Sequence, residues 1–90
     1  MRKFLQDMTL ELDKAEALHG PYKSYHEAYA VILEELDEFW QIVKMKTQDR
    51  NDSDAYIELV QIAVTAWRAA QDLRLHLHDS GVAFDVGRGD

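Results

Sequence analysis

The sequence predicts an all-α fold, an antiparallel bundle of three main helices in each protomer that dimerisation completes. Apolar residues recur at helical spacing along three long segments, whereas no segment of useful length alternates with the period of a strand. The single proline and the four glycines lie outside these three segments. A chain of 90 residues without cysteine forms one domain that disulfides cannot reinforce, so we expect a second copy to enlarge its core.

The first helix is predicted for residues 2–18. Its apolar residues recur at helical spacing and form one face: Phe4, Leu5, Met8, Leu12 and Ala15. Gly20 and Pro21 follow this segment. We expect Gly20 to cap the helix in the left-handed conformation, and Pro21 to prevent its continuation.

The second helix is predicted to begin after Ser24 and to extend to about residue 46. Ser24 and Glu27 form a capping box, in which each side chain binds a free backbone N–H group of the first turn. A polar stretch without helical period, residues 47–53, predicts a loop.

The third helix is predicted to begin at a cap formed by Asp52 or Ser53 and to extend to about residue 77. Apolar residues occupy most of its circumference, which indicates burial on two sides and therefore a subunit interface. These boundaries give a helical domain at residues 1–78 and a flexible C-terminal tail at residues 79–90.

The charge balance limits the classes of partner. Seventeen acidic and ten basic residues give a formal charge of −7. Nucleic acids and anionic membranes bind basic surfaces, so we expect neither as a partner. An acidic chain is suited to binding cations, although acidity also serves solubility alone. Acidic residues follow the N-terminus at Asp7 and Glu11, which is not the pattern of a signal peptide and predicts a cytoplasmic location.

Glu35 is the most informative residue of the second helix, because it lies in the middle of the apolar face. Four apolar residues lie within about 40° of it on a helical wheel: Ala28, Val31, Phe39 and Ile42. Glu38 and Glu34 flank it on one side, and no lysine or arginine lies one turn away on that face. A buried carboxylate costs several kcal/mol unless it is protonated, paired or bound to a metal.

The third helix carries a matching polar stripe at spacings of four and three residues: Asp54, Glu58, Gln61, Thr65, Arg68 and Asp72. If the second and third helices are antiparallel neighbours, Glu35 and Glu38 can face Glu58 and Gln61. Converging carboxylates suit a hard cation, Mg²⁺ or Mn²⁺. The alternative is an ordinary solvent-exposed stripe in which Arg68 and Asp72 form an ion pair.

The two acidic segments resemble a known signature. Glu35-Leu36-Asp37-Glu38 is followed, after nineteen residues, by Glu58-Leu59-Val60-Gln61. This pattern is similar to the E-x-x-E…E-x-x-D motif of MazG-like nucleotide pyrophosphohydrolases, in which a glutamate such as Glu34 also precedes the first pair. The resemblance covers about residues 20–73. It departs from the family pattern at Gln61, where the motif has Asp.

The resemblance implies an all-α homodimer or tetramer that hydrolyses nucleoside triphosphates to the monophosphate and pyrophosphate with Mg²⁺. Glu35, Glu38 and Glu58 would bind the metal, and Glu34 would be a further ligand or orient the attacking water. Residues expected to bind the substrate, each of which could equally serve packing or surface charge, are Gln61, Arg68, Lys46, His19, Tyr22 and Met45. Gln61 brings no charge, so an alternative is a weak or inactive module that binds nucleotide or a protein partner. An unrelated acidic dimerisation bundle is the third interpretation.

Overall fold

The fold is all-helical over residues 2–75, which are the residues that this computed structural model describes. Three α-helices follow one another, α1 at Arg2–Leu18, α2 at Tyr25–Val43 and α3 at Asp52–Asp72, with a short 3-10 helix at Thr47–Asp49 between the last two. The predicted all-α class is confirmed for this range. The domain boundary after residue 78 and the tail at residues 79–90 lie outside the described residues. None of the described helices is both long and apolar enough to cross a membrane.

Helix α3 is the central element of the described chain. Both α1 and α2 pack against α3, whereas α1 and α2 do not contact each other within the described range. Helix α1 is parallel to α3, since Asp7 meets Tyr56 near their first turns and Glu16 meets Gln71 near their last turns. Helix α2 is antiparallel to α3. The three helices therefore form an open layer in the order α1, α3, α2.

The apolar core lies between α1 and α3. Leu12 of α1 packs with Val60 and Val64 of α3, and partly buried residues surround them: Phe4, Met8, Ala15 and Tyr56. The rings of Phe4 and Tyr56 meet edge to face at 5.9 Å between centroids. The helical spacing that predicted α1 therefore also identified four of the side chains that hold it in place, Phe4, Met8, Leu12 and Ala15, whereas the predicted Leu5 is 55% exposed.

The end of α1 agrees with the prediction, but the conformation of Gly20 does not. The backbone φ of Gly20 lies outside the left-handed region, and a Cβ added there would meet no atom within 4 Å. The last turn is instead closed by the His19 N–H, which donates to the Ala15 carbonyl at 2.8 Å. Pro21 is therefore sufficient to prevent continuation of the helix.

The start of α2 agrees with the predicted capping box, with one difference in the partner of Glu27. The Glu27 N–H donates to Ser24 Oγ at 3.0 Å, as predicted. The Glu27 carboxylate accepts from the backbone N–H of Lys23, not of Ser24, at 2.6 Å. The helix ends at Val43, three residues before the predicted end, where the Arg50 guanidinium donates to the Val43 carbonyl at 2.7 Å.

The two ends of α3 also differ from the prediction. The N-cap is Asn51, whose side-chain oxygen accepts from the N–H groups of Ser53 at 2.8 Å and Asp54 at 3.3 Å. The predicted caps Asp52 and Ser53 belong to the helix itself. The helix ends at Asp72 and not near residue 77, because Arg74 adopts a left-handed φ of 58° that is incompatible with an α-helix.

Candidate metal centre

Three carboxylates converge where α2 packs against α3. One oxygen from each of Glu35, Glu38 and Glu58 lies within 4.8 Å of the other two. Glu35 and Glu38 are one turn apart on α2, and Glu58 reaches them from the neighbouring antiparallel helix. We call these three residues the acidic cluster.

Two oxygens of the acidic cluster are buried without any hydrogen-bond donor. Glu35 Oε2 and Glu58 Oε2 have no hydrogen-bond partner and are shielded from solvent. The Glu38 side chain is exposed and completes the group at its solvent side. Buried carboxylate oxygens normally accept a hydrogen bond or bind a cation, so either a proton shared between the carboxyls or a bound cation would satisfy this pair.

Two members of the acidic cluster, Glu35 and Glu58, have a raised pKa. Burial raises the pKa of Glu58 from 4.5 to about 7, and the adjacent carboxyls of Glu38 and Glu35 add to the rise. Burial also raises the pKa of Glu35, and the charge of Glu38 acts in the same direction. The two carboxyls titrate as a pair, because each responds to the charge of the other.

The donor set fits a small divalent cation. Three carboxylates offer hard oxygen ligands from two rigid helices, and one oxygen of each lies within 4.8 Å of the other two. Two oxygens bound to one Mg²⁺ at roughly 2.1 Å are at most about 4.2 Å apart. Oxygens that already lie within 4.8 Å reach that separation through small rotations of the side chains.

A cavity of about 620 Å³ adjoins the acidic cluster at the ends of α1 and α2. We call it the large cavity, and its polar and charged lining includes His19, Tyr22, Lys23, Glu34, Glu35 and Arg68. A smaller cavity of about 220 Å³ shares Glu35 and Arg68 with it and extends to Glu11 and Gln61. Carboxylates therefore face basic groups across one continuous region of the surface.

Arg68 is a buried cation that lines both cavities. It is 4% exposed, and its guanidinium donates to the Gly20 carbonyl at 2.8 Å. Asp72 lies 3.9 Å from the guanidinium, which is a long separation for an ion pair. Arg68 Nε has no hydrogen-bond partner. The predicted alternative of a solvent-exposed stripe is wrong at Arg68, because the side chain is buried.

Tyr22 lies under the guanidinium of Arg68, which stacks 4.6 Å from the centroid of the tyrosine ring. The ring is 7% exposed, and its backbone N–H donates to Asp72 at 3.0 Å. Its hydroxyl is buried and has no hydrogen-bond partner. Burial raises the pKa of this hydroxyl, which therefore stays protonated and able to donate.

The Gln61 side chain contacts α1 and also lines the smaller cavity together with Glu35. Its Nε2 donates to Glu11 Oε2 at 2.9 Å. Lys14, at 3.1 Å, and Gln61 together hold the pKa of Glu11 below its usual range. Glu11 also lines the smaller cavity. The sequence analysis did not assign Glu11 to the site. The signal was present, since Glu11 precedes Ala15 by one turn on the side of α1 that faces α3.

Eight of the ten predicted site residues lie together, either in the acidic cluster or on the cavity walls: Glu34, Glu35, Glu38, Glu58, Gln61, Arg68, His19 and Tyr22. Met45 and Lys46 lie elsewhere, just after α2, and line neither cavity. They are about ten residues beyond Glu35, or roughly 15 Å along the helix direction. Lys23 and Glu27 line the large cavity, although the sequence analysis assigned Glu27 only to the cap.

No family model, no curated protein and no solved structure matches this chain. Inferences about its chemistry therefore rest on its own residues and on the resemblance of its two acidic segments to a family motif.

Proposed function

We propose that the protein is a Mg²⁺-dependent, MazG-like pyrophosphohydrolase that converts nucleoside triphosphates to the monophosphate and pyrophosphate. The observation that carries this proposal is the pair of buried, donor-free oxygens of Glu35 and Glu58 beside Glu38. A cavity lined by Glu35 and the buried Arg68 adjoins this pair on the Glu35 side. Together they offer a cation site and an anion site within one region, as a metal–phosphate substrate requires.

Glu35, Glu38 and Glu58 would hold Mg²⁺, or Mn²⁺ in its place. When bound, the cation would neutralise phosphate oxygens and increase the acidity of a coordinated water. The glutamates contribute three negative charges on rigid helices, so they would hold that charge in place without reorganisation. The raised pKa of Glu58, about 7, implies that cation binding displaces a proton from this group at neutral pH.

The remaining cavity residues would act on the substrate. Arg68 has an unused Nε donor and Tyr22 an unused hydroxyl, and either can donate to a phosphate oxygen. Glu34 is exposed and lines the same cavity as Glu35, so its carboxylate can accept a proton from water. His19 lines the same cavity and can contact the nucleoside. A cavity of this size is typical of small-ligand sites.

The test is the release of pyrophosphate from ribo- and deoxynucleoside triphosphates in the presence of Mg²⁺ or Mn²⁺. Glu38→Gln keeps the size of the side chain but removes one charge of the acidic cluster, so we expect it to abolish release. Asp37→Asn, on the exposed side of the same helix, is the matched control and should retain activity. Absence of pyrophosphate release from every triphosphate would refute turnover.

A second candidate function is nucleotide or partner binding without hydrolysis, and the contact between Gln61 and Glu11 favours it. Gln61 occupies the position of the motif Asp, and its amide is engaged by α1. A site with one charge fewer binds a cation more weakly. Stabilisation of the protein by a triphosphate and Mg²⁺ without pyrophosphate release would select this candidate.

A further inference from the structure

Helix α1 contributes one carboxylate, that of Glu11, to the smaller cavity. Glu11 Oε2 accepts from Gln61 Nε2 at 2.9 Å, and Glu11 Oε1 pairs with Lys14 Nζ at 3.1 Å. Glu35 lines the same cavity from α2. Because α1 and α2 do not contact each other within the described range, Gln61 of α3 is the side chain that connects Glu11 with the region of the acidic cluster.

Gln61 lies on α3 between the acidic cluster and α1. On the helical wheel it is about 60° from Glu58, in the direction of Val64, which is about 120° from Glu58. Val64 belongs to the core that α3 forms with α1. Gln61 also follows Glu58 by three residues, and because α2 is antiparallel, the same displacement leads along α2 from Glu38 towards Glu35. Gln61 and Glu35 accordingly line one cavity.

The contact with Glu11 fixes the orientation of the Gln61 amide. A carboxylate that pairs with a lysine is ionised at neutral pH and can only accept hydrogen bonds, so the NH₂ group of the amide must face it. The carbonyl oxygen Oε1 diverges from Nε2 within the planar amide and therefore points away from the Glu11 carboxylate. An amide held at one end keeps its oxygen in one direction, whereas a free glutamine side chain rotates among several rotamers.

Glu11 also places negative charge next to this neutral side chain. The Glu11 side chain is 31% exposed and that of Lys14 is 68% exposed, so the lysine charge is largely solvated and cancels the glutamate charge only in part. A charged acceptor on the N–H side of an amide polarises the group and increases the negative partial charge on its oxygen. The Gln61 oxygen is therefore a stronger ligand for a cation with Glu11 in place than without it.

The acidic cluster leaves coordination positions for such an oxygen. An octahedral Mg²⁺ bound through one oxygen of each of three carboxylates has about three further positions. Glu35, whose buried Oε2 has no hydrogen-bond partner, is the member of the cluster that shares the smaller cavity with Gln61. An amide oxygen on this side can fill one position directly or through a bound water.

We propose that Glu11 is a positioning residue of the cation site, which holds Gln61 so that the amide oxygen binds Mg²⁺ or one of its waters. The two side chains act as one unit, in which Gln61 supplies the ligand atom and Glu11 supplies the negative charge that an amide lacks. This inference rests on the cation site of the proposed function. It adds to that site a residue of α1, which lies outside the two acidic segments.

The test is a double-mutant cycle on Glu11 and Gln61, measured as the Kd for Mg²⁺ of the full chain by titration calorimetry. Glu11→Gln keeps the size of the side chain and can still accept from Gln61, but it removes the charge, so we expect the Kd to rise about 10-fold. In the Gln61→Asp background the new carboxylate carries its own charge and the introduced glutamine can donate to it. There we expect Glu11→Gln to change the Kd by less than about 3-fold.

Two controls separate positioning from general charge and from folding. Asp13→Asn removes the same charge from the exposed side of α1 and should leave the Kd within about 2-fold of the wild type. Glu11→Asp keeps the charge but shortens the side chain, so that it no longer reaches Gln61 Nε2 and should also raise the Kd. Chemical unfolding without Mg²⁺ identifies a purely structural role, because loss of a contact between α1 and α3 would lower stability without changing the Kd.

A Kd that neither Glu11→Gln nor Glu11→Asp raises would overturn the proposal, and loss of binding in Glu38→Gln would show that the cation site itself stands. Glu11→Asp keeps this test available if Glu11→Gln does not fold. An effect of Glu11→Gln that is equally large in both backgrounds would also overturn the proposal, since charge acting at a distance needs no contact with Gln61. A wild-type chain that binds no Mg²⁺ would overturn both this inference and the proposed function.

Discussion

Replacement of Glu58 by glutamine should remove a specific pH dependence of stability. In the folded chain without a divalent cation, Glu58 has a pKa of about 7, against 4.5 as its ordinary value, because burial and the adjacent glutamates disfavour its charge. Glutamine keeps the shape of the side chain, cannot ionise, and brings an amide N–H that can donate to the donor-free oxygen of Glu35.

The sign and size of the effect follow from these pKa values. Below about pH 4.5 Glu58 is protonated in both the folded and the unfolded chain and has no effect. As the pH rises towards about 7 the unfolded chain releases its proton first, so stability falls, and above about 7 the loss is complete. The full difference corresponds to at most ~3 kcal/mol. Glu58 is partly solvent-exposed and screened, so we expect about 1–2 kcal/mol.

The carboxyls whose pKa is lowered act outside the pH range in which Glu58 titrates. The Lys3 ammonium and the Tyr56 hydroxyl hold the pKa of Asp7 below its ordinary value, so that its contribution is lost only as the pH falls in the acid range. Lys14 and Gln61 likewise hold the pKa of Glu11 below its ordinary value, so its contribution is also lost only in the acid range. Glu35, whose pKa is raised, reinforces the effect of Glu58 and responds to the same substitution.

The assay is chemical unfolding at about pH 5 and about pH 8, at one fixed protein concentration and with a chelator present. We expect Glu58→Gln to lie within about 0.5 kcal/mol of the wild type at the lower pH, where the unfolded chain has begun to release the proton, and to exceed it by ~1–2 kcal/mol at the higher pH. Asp37→Asn controls for loss of a negative charge from an exposed position. Equal pH slopes for wild type and Glu58→Gln, or a less stable variant at pH 8, would refute the reasoning.

Substitutions at three further residues test separate contacts. Ser24→Ala removes the oxygen that accepts from the Glu27 N–H and should cost about 1 kcal/mol in chemical unfolding, whereas Ser24→Gly should cost less. Gln61→Asp restores the motif carboxylate but places it against Glu11, so without metal we expect the free energy of unfolding to fall by ~1–3 kcal/mol. A Mg²⁺ titration should show tighter binding, and unchanged affinity would exclude this position from the site. Arg68→Met removes the charged bond to the Gly20 carbonyl and should cost about 2 kcal/mol in thermal unfolding, and a stability equal to wild type would contradict the contact.

The helices were predictable from sequence where local signals determine them. The apolar spacing of α1 and the Ser24 cap of α2 depend on residues within a few positions of each other. The cap of α3 was ambiguous because Asn51, Asp52 and Ser53 are all good caps, and the chain uses the first. Its last turn was not predictable, because the left-handed backbone of Arg74 has no sequence signal comparable to a glycine.

The acidic cluster was predictable because a charge at the centre of an apolar face restricts where the helix can pack. Glu35 sits where α2 must contact another helix, and Glu58 meets it there. The partner of Gln61 was not predictable, since the helical wheel places Gln61 near both neighbours of α3 and only the tertiary arrangement selects Glu11. Glu58 meets Glu35 and Glu38 as predicted, whereas Gln61 donates to Glu11 and shares only the smaller cavity with Glu35.

The arrangement of the helices was the least accessible feature. Three apolar faces suggested a bundle, but periodicity does not specify that α3 lies between α1 and α2 and keeps them apart. Trp40 and Trp67 illustrate the difference, because large aromatic side chains on a helix are usually well buried. Both are about half exposed within the chain, so neither belongs to its core.

Thermal unfolding as a function of Mg²⁺ at constant ionic strength tests whether Glu35, Glu38 and Glu58 form a divalent cation site. We expect the Tm of the wild type to rise with Mg²⁺, by an amount equivalent to ~2.7 kcal/mol at a hundred times the Kd. We also expect the Tm of Glu38→Gln to stay constant while that of Asp37→Asn follows the wild type. A Tm that does not respond to Mg²⁺, or that rises equally in all three proteins, would show that these glutamates do not form the site.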